Sequence, residues 1–302
     1  MEEPGRPLRC RMARMIASWL LVMAVMSHAE PAATGNQLVA SYPALPGGRP
    51  CESVAMPLNG GGLLVTVSAP GVNVNAPSLR SGGRSVPLRV IAHDPVTRLG
   101  FLEITGSFVS NPAEWLADAR GSMGTQLRAD GPGGPIKCLA AGWVKQIGGK
   151  VLPLALMQVN FDRAVPPAGT PLVNAQGMVA GIVFQSAGTG NTGYAIPAEA
   201  VHRVRRDLCS GGRLLRGWLG LTLNSESRSP RVVRVLAESP AAEAGVLPGD
   251  VLLAVGSRQI TDYADAANAF FYLIPEQATQ VKLMRGGKPL AFSITPGMPR
   301  AD

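Results

Sequence analysis

Histidine, cysteine and charge are scarce in this 302-residue chain. It holds only three His and four Cys, its aromatic content is 5%, and charged residues make up 16%. No Cys-x-x-Cys pair and no His-rich spacing is present, so the usual signatures of a structural or catalytic zinc site are missing. No Gly-x-Ser-x-Gly elbow occurs, which excludes the nucleophile turn of an α/β-hydrolase. The one long apolar run, Met15 to Met26, is shorter than the roughly 20 residues a membrane-spanning helix needs. The basic cluster Arg203, Arg205, Arg206 has no interleaved aromatic residues on which bases could stack. It reads as a solvated helix face, and no nucleic-acid partner is expected.

Glycine and proline, by contrast, are abundant, at 36 and 26 residues, and 46% of the chain is hydrophobic. That balance favours short strands joined by turns around a packed core, not disorder. The length suggests about two domains. At the N-terminus, Arg6, Arg9, Arg11 and Arg14 precede the apolar run, and Ser27-His28-Ala29 follows it as a small-x-small site. Residues 1–29 are therefore expected to be an export signal, favoured over an uncleaved anchor. Its removal takes four Arg and two Glu, so the formal charge falls from +8 to +6. Export leaves Cys51, Cys138 and Cys209, enough for one disulfide and one odd thiol whose pairing the sequence leaves open. Only His93 and His202 remain, which limits any histidine-based mechanism. A periplasmic or secreted location follows from that signal.

Residues 30–56 show little periodicity and are expected to be an irregular lead-in. The first confident strand lies in Gly60 to Val67, and apolar runs recur at Val86–Ile91, Leu99–Ile104, Cys138–Val144, Leu152–Val159 and Met178–Phe184. Such spacing predicts an all-β barrel or sandwich over 57–208. A helix opens near Ile196-Pro197-Ala198 and runs to about Leu208; residues 209–215, with Ser210-Gly211-Gly212, then serve as linker. Residues 216–296 form a second unit, with strands at Val232–Leu236, Val251–Val255, Gln280–Met284 and Leu290–Ile294. Its helix spans Asp262–Leu273 and sets Ala266, Phe270 and Leu273 on one face. Residues 297–302 are a tail.

Pro166-Pro167-Ala168-Gly169-Thr170-Pro171-Leu172 and the following Val173 to Ile182 resemble the Gly-Asn-Ser-Gly-Gly-Pro-Leu loop and strand-turn-strand of HtrA-type (Deg) serine proteases. Upstream, Met157-Gln158-Val159-Asn160 stands where that family usually reads Ile-Gln-Thr-Asp. Val65 to Val72 matches its Leu-Thr-x-x-His-Val-Val, and Asp94 to Ile104 matches Asp-Pro-x-Thr-Asp-Leu-Ala-Val-Leu-Lys-Ile without a gap. The resemblance thus implies a trypsin-like double β-barrel. It places Ala69 at the histidine, Arg98 at the aspartate and Ala168 at the nucleophile. Pro166 falls where a glycine N–H would help stabilise the oxyanion, and proline has no N–H. Hydrolysis by the family's route is not expected.

Farther on, Arg216 to Leu223 resembles the carboxylate-binding loop and strand of HtrA-type PDZ domains. Val235 to Leu252 matches the family's Ser-Pro-Ala-x-x-Ala-Gly-Leu-x-Pro-Gly-Asp-x-Ile. The resemblance implies a small α+β PDZ domain that adds a peptide C-terminus to a strand edge. Trp218, Leu219, Gly220, Leu221, Leu223 and Phe270 are the residues expected at that groove; Leu219, Leu221 and Phe270 serve equally well as core. The expected protein is an exported, inactive pseudoprotease acting as scaffold, adaptor or regulator in protein quality control. Its expected partners are protein C-termini, an active relative, or other copies of itself, and no cofactor is expected. Two alternatives stand beside it: a protease with displaced residues such as Ser68 and His93, and a structural pseudo-enzyme with an unused groove.

Overall fold

The structure is a computed structural model describing residues 38–298, apart from 60–61, 82–83, 106–110, 148, 189, 213 and 226–228. The expected signal (1–29) and the last residues of the tail lie outside the described residues. Two six-stranded closed barrels come first, and both are wholly antiparallel. The first contains β1 (Leu38–Tyr42), β2 (Cys51–Pro57), β3 (Leu63–Val67), β4 (Ser78–Ser81), β5 (Arg84–His93) and β6 (Leu99–Ile104). The second contains β7 (Gln126–Gly131), β8 (Gly134–Ile147), β9 (Lys150–Phe161), β10 (Pro171–Val173), β11 (Val179–Ser186) and β12 (Thr192–Pro197). Closure is made by β1 on β4 and by β10 on β7.

The expected lead-in is corrected here. Residues 38–56, within the stretch read as irregular, supply β1 and all of β2 but its last residue, and complete the first barrel. Cys51-Glu52-Ser53 and Pro43 to Pro50 mask the alternation that normally signals a strand, while pairing across the barrel supplies what local pattern lacks.

Strand periodicity explains where the cores sit. Leu64 and Leu102 point into the first barrel with Ala40, Tyr42 and Leu79. Their neighbours Val65 and Phe101 point the other way, into a core shared with Leu154, Leu156, Ile182 and Ile196 of the second barrel. β3 and the first four residues of β6 are thus buried on both faces, which is why they read as mainly apolar runs without strict alternation. The second barrel's interior holds Leu127, Met157, Val159, Phe161, Leu172 and Val183.

Helix α1 (Ala198–Gly211) follows and seals the shared core with Ala200, Val201, Val204 and Leu208. It runs through Ser210 and Gly211, beyond the expected end, and stops at Gly212. That residue takes the left-handed conformation (φ 69°) and donates its N–H to the Leu208 carbonyl at 2.9 Å. Arg203, expected in solvent, is 5% exposed and pairs with Asp207. The i, i+4 spacing lets one carboxylate neutralise the buried guanidinium.

The C-terminal unit contains β13 (Leu221–Leu223), β14 (Val232–Val235), α2 (Pro240–Glu243), β15 (Val251–Val255), β16 (Arg258–Gln259), α3 (Tyr263–Phe271), β17 (Thr279–Arg285) and β18 (Lys288–Ile294). β13 pairs with β14, and β16-β15-β17-β18 form a second sheet. Ser239 caps α2 by accepting the Ala242 N–H at 3.2 Å, with Pro240 in the first turn. Asp250 accepts the Leu247 N–H and an ion pair from Arg285. Leu252, Val281, Leu283, Ile294, Ala266 and Leu273 make its core.

Candidate functional site

Hydrogen bonds gather the three positions that the resemblance assigns to a catalytic triad at the seam between the barrels. Ala168 offers its carbonyl to Val54 N–H at 2.8 Å and to Ser53 Oγ at 2.9 Å. Ser53 Oγ in turn accepts from Thr66 Oγ1 (2.7 Å) and Val67 N–H (3.2 Å) at the end of β3. Ser68, just before Ala69, donates its N–H to the Arg98 carbonyl at 2.9 Å. Gly169 closes the loop by donating to the Val183 carbonyl at 2.7 Å.

Arg98 has the left-handed backbone conformation (φ 59°), uncommon for a residue with a side chain. Its guanidinium leaves the first barrel and lies 3.8 Å from the centroid of the Phe184 ring, while Nη2 donates to Gln185 Oε1 at 2.6 Å. A cation stacked and hydrogen-bonded across the seam thus stands at the position that the resemblance assigns to the triad carboxylate. Ala69 packs against the first barrel's core and Ala168 against the shared core. Neither supplies a proton acceptor or a nucleophile.

Ser68 and His93 do meet. Ser68 Oγ and His93 Nε2 lie 3.0 Å apart, although Ser68 is only 3% exposed. His93, expected as a surface turn residue, is half-buried at the end of β5. The carboxylate next to it is committed elsewhere: Asp94 Oδ2 accepts Thr97 N–H at 2.8 Å and Thr97 Oγ1 at 2.6 Å. Burial lowers the His93 pKa below its ordinary value of 6.5, with the charge of Asp94 acting in the opposite sense. The unfolded chain therefore takes up this proton first as pH falls. The stability contribution is complete above pH 6.5 and declines below it. Thermal unfolding between pH 7.5 and 5 is expected to show this loss, and His93→Gln to remove part of it. Identical pH profiles for both proteins would contradict the burial argument.

The three cysteines among the described residues are free thiols: Cys51 is half-buried, Cys138 buried and Cys209 exposed. The disulfide that the sequence permits is not formed. Burial pushes the Cys138 thiol up to about 12, so it behaves as a small core residue.

In the C-terminal unit the expected groove residues divide into two groups. Trp218 is tied down by its backbone, which exchanges two 2.9 Å hydrogen bonds with Gly297. Leu219 is buried in the core and Gly220 turns the chain with φ 77°. A Cβ at position 220 would overlap Ser239 Cβ, so glycine is required both by conformation and by space. Leu221, Leu223 and Phe270 sit half-buried on the rim of the same core. Among the described residues β13 pairs only with β14, which leaves its other edge open just after the Gly220 turn. That combination of glycine turn, open edge and apolar rim suits an extended chain ending in a carboxylate.

Sequence reasoning missed the polar contacts that join this unit to the barrels. Lys145 on β8 binds Asp262 and Asp265, Arg120 donates to the Ser257 carbonyl, and Arg258 meets Glu199. None leaves a local signal, because each pairs residues far apart in the chain.

Two trypsin-like barrels followed by this α+β unit define the class: the chain has the fold of HtrA-type proteases, and its C-terminal unit is a PDZ domain. The PDZ family model matches residues 217–295. The chain is homologous to DegP-like periplasmic serine endoproteases. It is 32% identical over 155 residues to a probable enzyme of that kind from Chlamydia trachomatis, covering 45% of this chain and 31% of the relative. With the corresponding protein of Chlamydia pneumoniae it shares 26% over 233 residues, 70% of this chain and 48% of the relative. The chain thus spans less than half the length of these curated relatives. Among solved structures, the HtrA-type protease AlgW with a tripeptide superposes with a TM-score of 0.63 at 21% identity, covering 88% of this chain and 95% of that one. The serine endoprotease from Yersinia pestis superposes at 0.56 with 21% identity, covering 87% and 94%. No helix among the described residues is long and apolar enough to cross a membrane.

Proposed function

We propose that this chain is an exported, catalytically inactive relative of the HtrA proteases that binds protein C-termini through its PDZ domain, as a scaffold, adaptor or regulator. The observation that carries this reading is Arg98, whose cation bridges the barrels to Phe184 and Gln185 at the aspartate position. Ala69 and Ala168 at the base and nucleophile positions, and Pro166 at an oxyanion donor, support it. Binding is supported by the intact Gly220 turn and the open edge of β13. Periplasmic location is inferred from the N-terminal pattern of Arg6 to Ala29 and from the named location of the relatives.

Display of a random C-terminal peptide library on the full chain tests the reading. A micromolar ligand is expected, and Phe270→Ala is expected to weaken it about tenfold or more, as loss of an aromatic side chain that a ligand covers does. Gly220→Asp abolishes binding as well, though its Cβ also collides with Ser239, so Phe270→Ala is the cleaner variant. No micromolar ligand anywhere in the library would leave the structural, unused-groove alternative standing instead.

One observation favours a second reading, a relocated hydrolase: the 3.0 Å contact of Ser68 and His93. Against it, Ser68 is buried and the Asp94 carboxylate is spent on Thr97. A fluorophosphonate probe separates the two. The binding reading expects no labelled serine, whereas labelling abolished by Ser68→Ala would establish the enzyme.

A further inference from the structure

Helix α3 belongs to two neighbourhoods at once. Ala266 and Ala269, with Leu273 just beyond the helix, face the PDZ core, while Phe271 joins the shared core of the barrels, the cluster that includes Leu154 and Leu156 of β9. The helix packs along β9 and touches β8. Both of its ends are gripped from the barrel side. At the N-terminus, Lys145 Nζ donates to Asp262 Oδ2 at 3.0 Å and to Asp265 Oδ1 at 2.7 Å. Asp262 is the helix cap and accepts the Asp265 N–H at 2.7 Å, so the lysine holds the cap itself.

Just past the C-terminus, Arg203 on α1 donates to the Leu273 carbonyl at 2.9 Å and to the Leu215 carbonyl of the linker. Its partner Asp207 accepts the Leu215 N–H at 2.8 Å. A buried charged pair thus fastens the linker and the end of α3 together. Desolvated charge–carbonyl bonds of this kind are costly to break, because the guanidinium would be left buried without partners.

We propose that the barrel pair is a positioning element of the peptide site: by holding both ends of α3 it fixes the distance between that helix and β13, and so sets the peptide affinity from outside the groove. The proposal rests on the reading of the PDZ domain as a peptide binder. Its physical basis is that a site competent only part of the time binds more weakly in proportion to the competent fraction. It also assigns the barrels a use that survives the loss of catalysis. Lys145 and Arg203 are positioning residues here, since neither is required to touch peptide.

The experiment takes the peptide recovered from the library and titrates it by fluorescence anisotropy into the full chain and three variants. Lys145→Ala is expected to weaken binding about fivefold or more, within the usual range of coupling between sites. Arg203→Met is expected to weaken it further. Arg80→Ala, which removes an exposed pair with Glu52 on the first barrel, is expected to leave it unchanged. Hydrogen exchange of residues 262–273 in the unliganded protein gives a reading free of any ligand, and faster exchange is expected in Lys145→Ala. Arg203 is buried and its variant can fail to fold; Lys145 is 30% exposed, and its variant decides the matter alone.

If the wild-type chain recovers no peptide, the functional reading fails by itself, and exchange over 262–273 still judges the clamp. Equal affinity for Lys145→Ala and wild type, equal loss in Arg80→Ala, or unchanged exchange over 262–273 overturns the proposal.

Discussion

The single reversion Ala168→Ser is expected to leave casein and peptide hydrolysis at the buffer background. A serine there is expected to lack a histidine base, because position 69, which the resemblance assigns to that base, is alanine. Removing one member of a working triad typically costs about 10⁴- to 10⁶-fold, and loss of one oxyanion donor another 100- to 1000-fold. Adding Ala69→His does not close the gap. The Arg98 cation would oppose the imidazolium that forms when histidine accepts the serine proton, whereas a carboxylate would stabilise it. Recovery requires Arg98→Asp and Pro166→Gly as well. Arg98→Asp would also remove the Phe184 stack and the Gln185 hydrogen bond across the seam. Casein turnover measured with Ala168→Ser alone decides the matter. A rate about 100-fold above background would show that base and oxyanion donors come from residues other than those at the assigned positions.

Gly169→Ala, one residue further on, is expected to destabilise the protein by about 2–5 kcal/mol, combining left-handed strain with overpacking. Gly169 has φ 81°. Its added Cβ would overlap the Val54 carbonyl oxygen and approach Ser53 Oγ to 2.8 Å. Relief would require moving the loop away from β2, which breaks the bonds from Val54 N–H and Ser53 Oγ to the Ala168 carbonyl. Urea unfolding measures the difference, and a variant within about 0.5 kcal/mol of wild type, the usual spread of neutral surface changes, would show that the loop is not held as described. The loop geometry therefore has a structural use independent of hydrolysis: it stitches one barrel to the other.

Much of the site was legible in the chain because its signals are local. Ser239-Pro240 and Pro248-Gly249-Asp250 specify a capped helix and a turn through neighbours three residues apart, and both are formed. The alternation in Gln280 to Met284 and in Leu290 to Ile294 places β17 and β18 for the same reason. β1 and β2 were not legible, since their pairing partners include β3 and β4, and turn residues interrupt their own pattern. Arg203 misled for a related reason. A charge on a helix reads as solvated until a carboxylate four residues on and two carbonyls from other segments are folded against it.

By itself, then, the sequence determined the strand-rich character, the PDZ motif and the loss of hydroxyl, imidazole, carboxylate and N–H at the positions its resemblance assigns. Those are matters of residue type and short spacing, which no fold can change. Tertiary structure alone decided that Arg98 would span the seam to Gln185, that Ser68 would meet His93, and that Lys145 and Arg203 would hold the two ends of α3. Each of those contacts joins segments distant in the chain. Their energy is realised only after the cores of the barrels and the PDZ domain have brought the partners within hydrogen-bond reach and excluded the water that would otherwise compete.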